Sequence, residues 1–275
     1  MTTVTTKYNT LITDIVRKAD NADRHLVAYS GGVDSALVAK AVYDAFPSTS
    51  EAVMALSPSV SEIMRSSAIA LAEHIGIPLR FVETREHLDP VYVANEGMSC
   101  YVCKHGIYTA MEAIIADVAH NADTVLLYNG TNADDLTDPT RVGLQAAREH
   151  FVRSPLAHLR KEEVRALSRH AGLPNWNDAA SPCLRSRLSP GVEATAIHLQ
   201  RIETAEDIVR TTYVLSPDVN FRVRHLGDDS AMLEIDAALL DDIDLARCRE
   251  ALLALGFGAV EKRAFRSGSV SIDTP

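Results

Sequence analysis

A chain of 275 residues, 47% of them hydrophobic, is long enough for one large domain plus a smaller one. Its formal charge of −10 repels nucleic acid at long range, which weighs against an RNA or DNA partner. The opening MTTVTTKYNT lacks the order of a secretion signal, and no apolar run approaches the ~20 residues a bilayer requires. The expectation is a cytoplasmic protein with no membrane partner, whose four cysteines serve as reduced thiols, metal ligands or catalytic groups.

Residues 26–29, Leu-Val-Ala-Tyr, form an apolar run that reads as a buried strand. Residues 35–46 carry Leu37, Ala41, Val42 and Phe46 at helical spacing. A second strand over 53–56 is stopped by Ser57-Pro58. A helix over 62–75 is followed by Gly76, which suits its C-terminal cap. A third strand covers 79–82, a helix 107–119 and a fourth strand 124–128. A short fifth strand is expected at 150–152, and a helix over 161–170 ends at Ala171-Gly172-Leu173-Pro174. This alternation predicts an α/β fold with a doubly wound parallel sheet. Ligands of such sheets bind beyond the carboxyl ends of the strands, near the switch in strand order. Residues 30–35, Ser57 and residues 130–135 all fall at those ends.

Near residue 188 the pattern changes. A long helix over 194–212 precedes two alternating segments, 221–225 and 232–235, which form a hairpin around Gly227-Asp228-Asp229. A helix over 244–255 and a strand through Val260 complete the pattern. The expected domains are therefore 1–187, and 188–275 as a small α+β domain for substrate binding or oligomerisation.

The string Ser30-Gly31-Gly32-Val33-Asp34-Ser35 lies between the first strand and its helix. Glycines let the backbone approach phosphate oxygens without a Cβ clash, and the first amides of a helix are unpaired and lie at its positive end. Ser30 and Ser35 add hydroxyl donors, whereas the Asp34 carboxylate repels phosphate and suits magnesium or an orienting role. Asp134 and Asp135 follow the fourth strand, where Asp135 could hold magnesium opposite Asp34, or either could cap the next segment. The loop has neither the Gly-Lys-Ser/Thr ending of a Walker A motif nor the G-x-G-x-x-G dinucleotide pattern.

Cys100-Tyr101-Val102-Cys103 could be a redox pair, half of a zinc site or two ligands of an iron–sulfur cluster. No second C-x-x-C follows, but Cys183 is expected at the same end of the sheet, and three thiolates can hold a [4Fe–4S] cluster with one iron open. Arg185 and Arg187 place positive charge close to Cys183 in sequence, which favours a thiolate. Cys248 sits within a helical pattern and reads as packing. Arg222 and Arg224, two apart on a strand, share a face; pointed outward they suit a phosphate, although a solvated strand face would look the same.

The loop is similar to the PP-loop of ATP pyrophosphatases, an adenine nucleotide alpha hydrolase-like superfamily that includes NAD synthetases, GMP synthetases, argininosuccinate synthetases and tRNA thiolation enzymes. These cleave ATP between the α- and β-phosphates and adenylate a substrate. Gly130-Thr131-Asn132-Ala133-Asp134-Asp135-Leu136, Arg153-Ser154-Pro155-Leu156, Pro182-Cys183-Leu184-Arg185-Ser186-Arg187, Gly256-Phe257 and Phe265-Arg266-Ser267-Gly268-Ser269 together resemble the LarE family. These are ATP-dependent sulfur transferases of nickel-pincer cofactor synthesis for lactate racemase. The resemblance implies ATP and Mg2+, and adenylation of a carboxylate on a pyridinium-3,5-dicarboxylate mononucleotide. Sulfur transfer then yields a thiocarboxylate. It implies Cys183 as the sulfur-bearing residue, Ser30, Gly31, Gly32, Asp34, Ser35, Ser57 and Gly130 around the nucleotide, and Arg222 and Arg224 near the active site. Glu234 matches a family acidic residue. Some members carry the three-cysteine set, so a [4Fe–4S] cluster on Cys100, Cys103 and Cys183 is preferred here over a sacrificial Cys183. The family also suggests a homo-oligomer. Where it often has Lys-Pro-Ala before the cysteine, this chain has Asp178-Ala179-Ala180; Lys104 could substitute for that lysine. A tRNA thiolase, an ammonia-using synthetase resembling NAD synthetase and a non-catalytic nucleotide sensor are the competing readings.

Overall fold

The computed structural model describes residues 3–118, 124–216 and 218–266. The chain divides into two compact units. The first comprises Met1–Ser57, Glu62–Glu86 and Cys100–Asp178; the second comprises Pro58–Ser61, His87–Ser99 and Ala179–Pro275.

The first unit opens with α1 (Val4–Arg17), capped by the Thr3 hydroxyl and buried through Tyr8, Leu11 and Ile15, whose three- and four-residue spacing gives one apolar stripe. Next come β1 (Arg24–Ala28), α2 (Val33–Ala45), β2 (Ser50–Leu56), α3 (Glu62–Ile75) and β3 (Leu79–Glu83). A short α4 (Pro90–Ala94) belongs to the second unit. The first unit then continues with α5 (Ser99–Val118), β4 (Val125–Tyr128), α6 (Ala133–Thr137), α7 (Gly143–Glu149) and α8 (Lys161–His170).

The four strands form one parallel sheet in the order β3-β2-β1-β4. Leu26 and Ala28 point to one face, where they meet Ile107, Tyr108 and Met111 of α5 and Ala146 and Ala147 of α7. His25 and Tyr29, in alternate register, point to the other face; His25 stacks on Phe46 at the end of α2, and the Tyr29 hydroxyl donates to the Ala68 carbonyl of α3. Helices thus cover both faces, as the β–α alternation predicted. The segment at 150–152 is not a fifth strand: a single bridge pairs Arg153 with Tyr128. The exposed Phe151 at φ +52° turns the chain there, so no ladder can extend through it.

In the second unit α9 (Ala196–Tyr213) precedes β5 (Phe221–His225), β6 (Ala231–Ile235), α10 (Ala246–Ala254) and β7 (Val260–Ala264). The β5–β6 pair is the predicted antiparallel hairpin, and β7 adds parallel to β6. Ala205, Val209, Val223, Leu233, Leu252 and Phe257 close its core, together with Cys248. No helix among the described residues is long and apolar enough to cross a membrane.

Candidate functional site

The strand order reverses between β1 and β4, so the crevice beyond their carboxyl ends is the switch point of the sheet. The loop 30–35 leaves β1 there. Gly32 is the N-cap of α2 and has no side chain with which to cap the first amides of the helix. Gly31 is held at φ +74°, and a Cβ on it would lie 2.7 Å from the Ala68 Cβ. Ser35 Oγ donates to the Gly32 carbonyl at 3.1 Å and accepts from the Ser30 amide at 3.2 Å, and its oxygen lies 3.1 Å from Ser30 Oγ. Both serines therefore brace the loop as well as offering hydroxyls.

The loop after β4 closes against it. A Cβ on Gly130 would lie 2.8 Å from the Ser35 nitrogen, so only glycine permits this approach. Asn132 caps α6 through the amides of Asp134 and Asp135, and its Nδ2 donates to Asp34 Oδ1 at 3.1 Å. The other Asp34 oxygen accepts from Lys161 Nζ at 2.5 Å. The Lys161 amide donates to Asp134 at 2.8 Å, and Asn175 Nδ2 donates to the Gly31 carbonyl at 3.0 Å. Asp135 accepts from the Asn132 amide and pairs with Arg141. The loops after β1 and β4 are thus brought together, and each candidate magnesium carboxylate has a protein partner. Ser57 directly follows β2 and is half-buried.

Lys161, Asn132 and Asn175 escaped the assignment of roles from sequence. Lys161 carried a signal: with Arg160 it puts two cations at the start of a helix, where the macrodipole disfavours them. That placement implies a function elsewhere, and Asp34 is its partner.

Cys100 and Cys103 lie in the first two turns of α5, three apart and half-buried. Beside them, Gly143 approaches so closely that a Cβ would lie 3.2 Å from the Cys100 carbonyl and 3.0 Å from Lys104 Cγ. Lys104 is exposed. Asp178 closes the first unit, its carbonyl accepting from Arg165.

In the second unit Cys183 is the half-buried N-cap of a 3-10 helix, Leu184–Arg187. Its carbonyl accepts from the Ser186 hydroxyl and from Arg187. Arg187 pairs with Glu206 at 2.9 Å, and Arg185 donates to Asn95 at 2.8 Å. Both guanidiniums thus have partners within the second unit.

Arg222 and Arg224 differ from the expectation of an outward pair, because every residue of β5 is buried. Arg224 is 1% exposed and pairs at 2.7 Å with Glu234, which also takes Arg263. Arg222 lies over the Phe265 ring and donates to the Ala180 carbonyl at 3.4 Å. The carboxylates whose charge acts on it, Glu234 and Glu206, are paired with Arg224, Arg263 and Arg187. Burial, reinforced by the charges of Arg187 and Arg224, pulls its pKa down to about 10. A buried cation that shares its carboxylates with other arginines is costly, and a further anion would relieve it.

Among the described residues no group of three or more His, Cys, Asp or Glu side chains is placed to hold a metal ion. Cys183 belongs to a different unit from Cys100 and Cys103. Ser267-Gly268-Ser269, part of the string quoted for the C-terminal end, lies outside the described residues.

No protein-family model matches the chain. An uncharacterized protein of Synechocystis sp. is 43% identical over 190 residues, covering 68% of this chain and 69% of the relative. The pyridinium-3,5-bisthiocarboxylic acid mononucleotide synthase of Lactiplantibacillus plantarum is 30% identical over 279 residues, covering 98% of this chain and 96% of that enzyme. With similarity running along nearly the whole of both chains, the protein belongs to the LarE family of that synthase.

Proposed function

We propose that this protein is an ATP-dependent sulfur transferase that converts a carboxylate of a pyridinium-3,5-dicarboxylate mononucleotide to a thiocarboxylate, for nickel-pincer cofactor synthesis. The observation that carries this reading is the loop 30–35, where Gly31 admits no side chain and the helix start at Gly32 is uncapped, at the switch point of the sheet. Such a site suits pyrophosphate oxygens. The LarE-family relative, by its name a synthase of a bisthiocarboxylic acid mononucleotide, supplies the substrate class.

In this reading the substrate carboxylate oxygen attacks the α-phosphorus of ATP, the bond to the bridging oxygen breaks, and pyrophosphate leaves. The loop amides and Lys161 offset the charge that gathers on the departing phosphates. Asp34 and Asn132 hold the lysine ready, and magnesium would accompany the nucleotide. A sulfur nucleophile then attacks the acyl carbon, and AMP leaves with the electron pair of the broken C–O bond. Arg222 supplies a buried positive charge for the phosphate of the mononucleotide, with Arg224 fixing the strand beneath it. For the Cys183 thiolate this attack gives a thioester; a base takes the Cys183 Cα proton, the Cβ–Sγ bond breaks with its electron pair leaving on sulfur, and the thiocarboxylate is released with dehydroalanine left at position 183.

The test is to incubate the protein with ATP and the dicarboxylate mononucleotide and follow pyrophosphate, AMP and thiocarboxylate. Accumulation of ADP instead of AMP would refute the reading. Iron and acid-labile sulfide analysis of anaerobically purified protein, repeated on Cys100→Ala, decides the sulfur source. Iron-free protein that turns over once per chain identifies Cys183 as the sulfur donor. Iron and sulfide lost in Cys100→Ala identify the cluster.

A further inference from the structure

Asn95 is an unusual residue to find buried. It ends α4 in the left-handed conformation, φ +54°, and is 3% exposed. Its side chain is fully used within the second unit. Nδ2 donates to the carbonyls of Ser189 at 2.9 Å and Val192 at 3.1 Å, and Oδ1 accepts from Arg185 at 2.8 Å. Backbone bonds run alongside: the Gly191 amide donates to the Asn95 carbonyl at 3.4 Å, and the Ala194 amide to the Val93 carbonyl at 2.8 Å. The segment 90–95 is thereby stitched to residues 185–194.

The stitched segment is the one that follows Cys183. The thiol-bearing turn has other anchors, since the Leu184 amide donates to the Ser59 carbonyl at 2.9 Å and Arg224 donates to the Ser186 carbonyl at 2.9 Å. Arg185 is the side chain of that turn that reaches α4. Its partner must accept from a guanidinium while donating to two carbonyls and tolerating a left-handed backbone. Asparagine meets all three demands: one amide carries both an acceptor and two donors, and Asn is among the few non-glycine residues that adopt this conformation readily. Aspartate would set its carboxylate against two carbonyl oxygens, and glycine would remove the side-chain bonds to Ser189, Val192 and Arg185.

We infer that Asn95 is a positioning residue for sulfur transfer: through Arg185 it fixes the turn that presents Cys183. This rests on the reading that Cys183 handles the sulfur. The Asn95 side chain bonds to Arg185 and two backbone carbonyls and not to the thiol, and its effect falls on the second half-reaction alone. Adenylation, carried by the loop 30–35 and Lys161, does not depend on it.

The experiment compares the full-length protein with Asn95→Gly, which keeps the backbone conformation open, and with Arg185→Met, which removes the same contact from the other side. Three quantities are read. They are substrate-dependent pyrophosphate release, thiocarboxylate formed per pyrophosphate, and the iodoacetamide alkylation rate of Cys183 by mass spectrometry. Both variants are expected to release pyrophosphate within about twofold of the parent, while thiocarboxylate per pyrophosphate falls ~10- to 100-fold, the effect of small misplacement at a reacting centre. A loosened, more accessible turn should also raise Cys183 alkylation by ~3-fold or more, since opening a half-buried segment exposes it. Transfer and alkylation both unchanged in either folded variant would overturn the inference. If Asn95→Gly does not fold, Arg185→Met carries the test. A Cys183→Ser protein that transfers sulfur at the parental rate would instead sink the functional reading, and the alkylation comparison would still judge Asn95.

Discussion

Gly31 offers the sharpest test of the phosphate loop, because its neighbour Gly32 serves as an internal control. At φ +74° an alanine would carry the left-handed penalty of ~1–2 kcal/mol. Its methyl would also sit 2.7 Å from the Ala68 Cβ and 2.9 Å from its Cα. Ala68 is fully buried on α3, and overpacking of such a site costs ~1–3 kcal/mol. Gly31→Ala should therefore destabilise the first unit by ~2–5 kcal/mol. Gly32 has an ordinary φ of −70°, and a Cβ there meets only Ser30 Oγ, at 3.5 Å. Gly32→Ala should cost no more than ~1 kcal/mol, the scale of an N-cap change. Its methyl would project into the space before the loop and raise the KM for ATP. Urea unfolding of both variants, with pyrophosphate release measured on each, separates the two effects. Adding Ala68→Gly to Gly31→Ala should recover part of the loss, since it relieves the methyl contact and leaves the backbone penalty. A Gly31→Ala protein within ~0.5 kcal/mol of the parent would refute the close packing of loop on helix.

Lys161→Met should leave stability within ~1 kcal/mol, as expected for a partly exposed ion pair, yet slow pyrophosphate release by ~100-fold, the usual cost of losing a charge-stabilising group. Equal urea midpoints with equal rates would remove Lys161 from the reaction. Arg222→Met should unfold no earlier than the parent, because an apolar chain replaces a buried cation whose nearby carboxylates, Glu234 and Glu206, are already paired with other arginines, while the KM for the mononucleotide rises ~10-fold or more. Arg224→Met should destabilise by ~2–3 kcal/mol, because it breaks the buried pair while Arg263 still holds the Glu234 carboxylate; a neutral result in urea unfolding would contradict the buried pair. His25 is buried between Phe46 and Tyr128, and burial pulls its pKa from 6.5 to about 4. The unfolded chain then binds a proton that the folded chain refuses between those values. The contribution is fully present above about pH 6.5 and is lost as pH falls toward about 4, by ~3 kcal/mol in all. In His25→Leu, urea midpoints should lose this part of their pH dependence; an unaltered slope would count against the assignment.

The sequence alone determined the alternating strands and helices of the first unit, the β5–β6 hairpin and the loop 30–35. Each rests on short-range signals, namely apolar spacing, turn residues and the strand–glycine–helix order, which act within a few residues. Helix α1 stands outside the β–α alternation: Tyr8, Leu11 and Ile15 carry its stripe, but its place is set by α2 and α8, against which it packs. The β5 arginines show what a period of two cannot reveal. Alternation sets Arg222 and Arg224 on one face but cannot say whether that face meets water, and Glu234, Phe265 and the carbonyl of Ala180 bury it. The partners of the site were likewise decided only by the tertiary structure. Lys161 reaches Asp34 across 127 positions of sequence, and Asn95 reaches Arg185 across 90. Charge pairing and burial follow from where distant segments cross, and that is set by the order of strands in the sheet and by the packing of each unit, not by any local pattern.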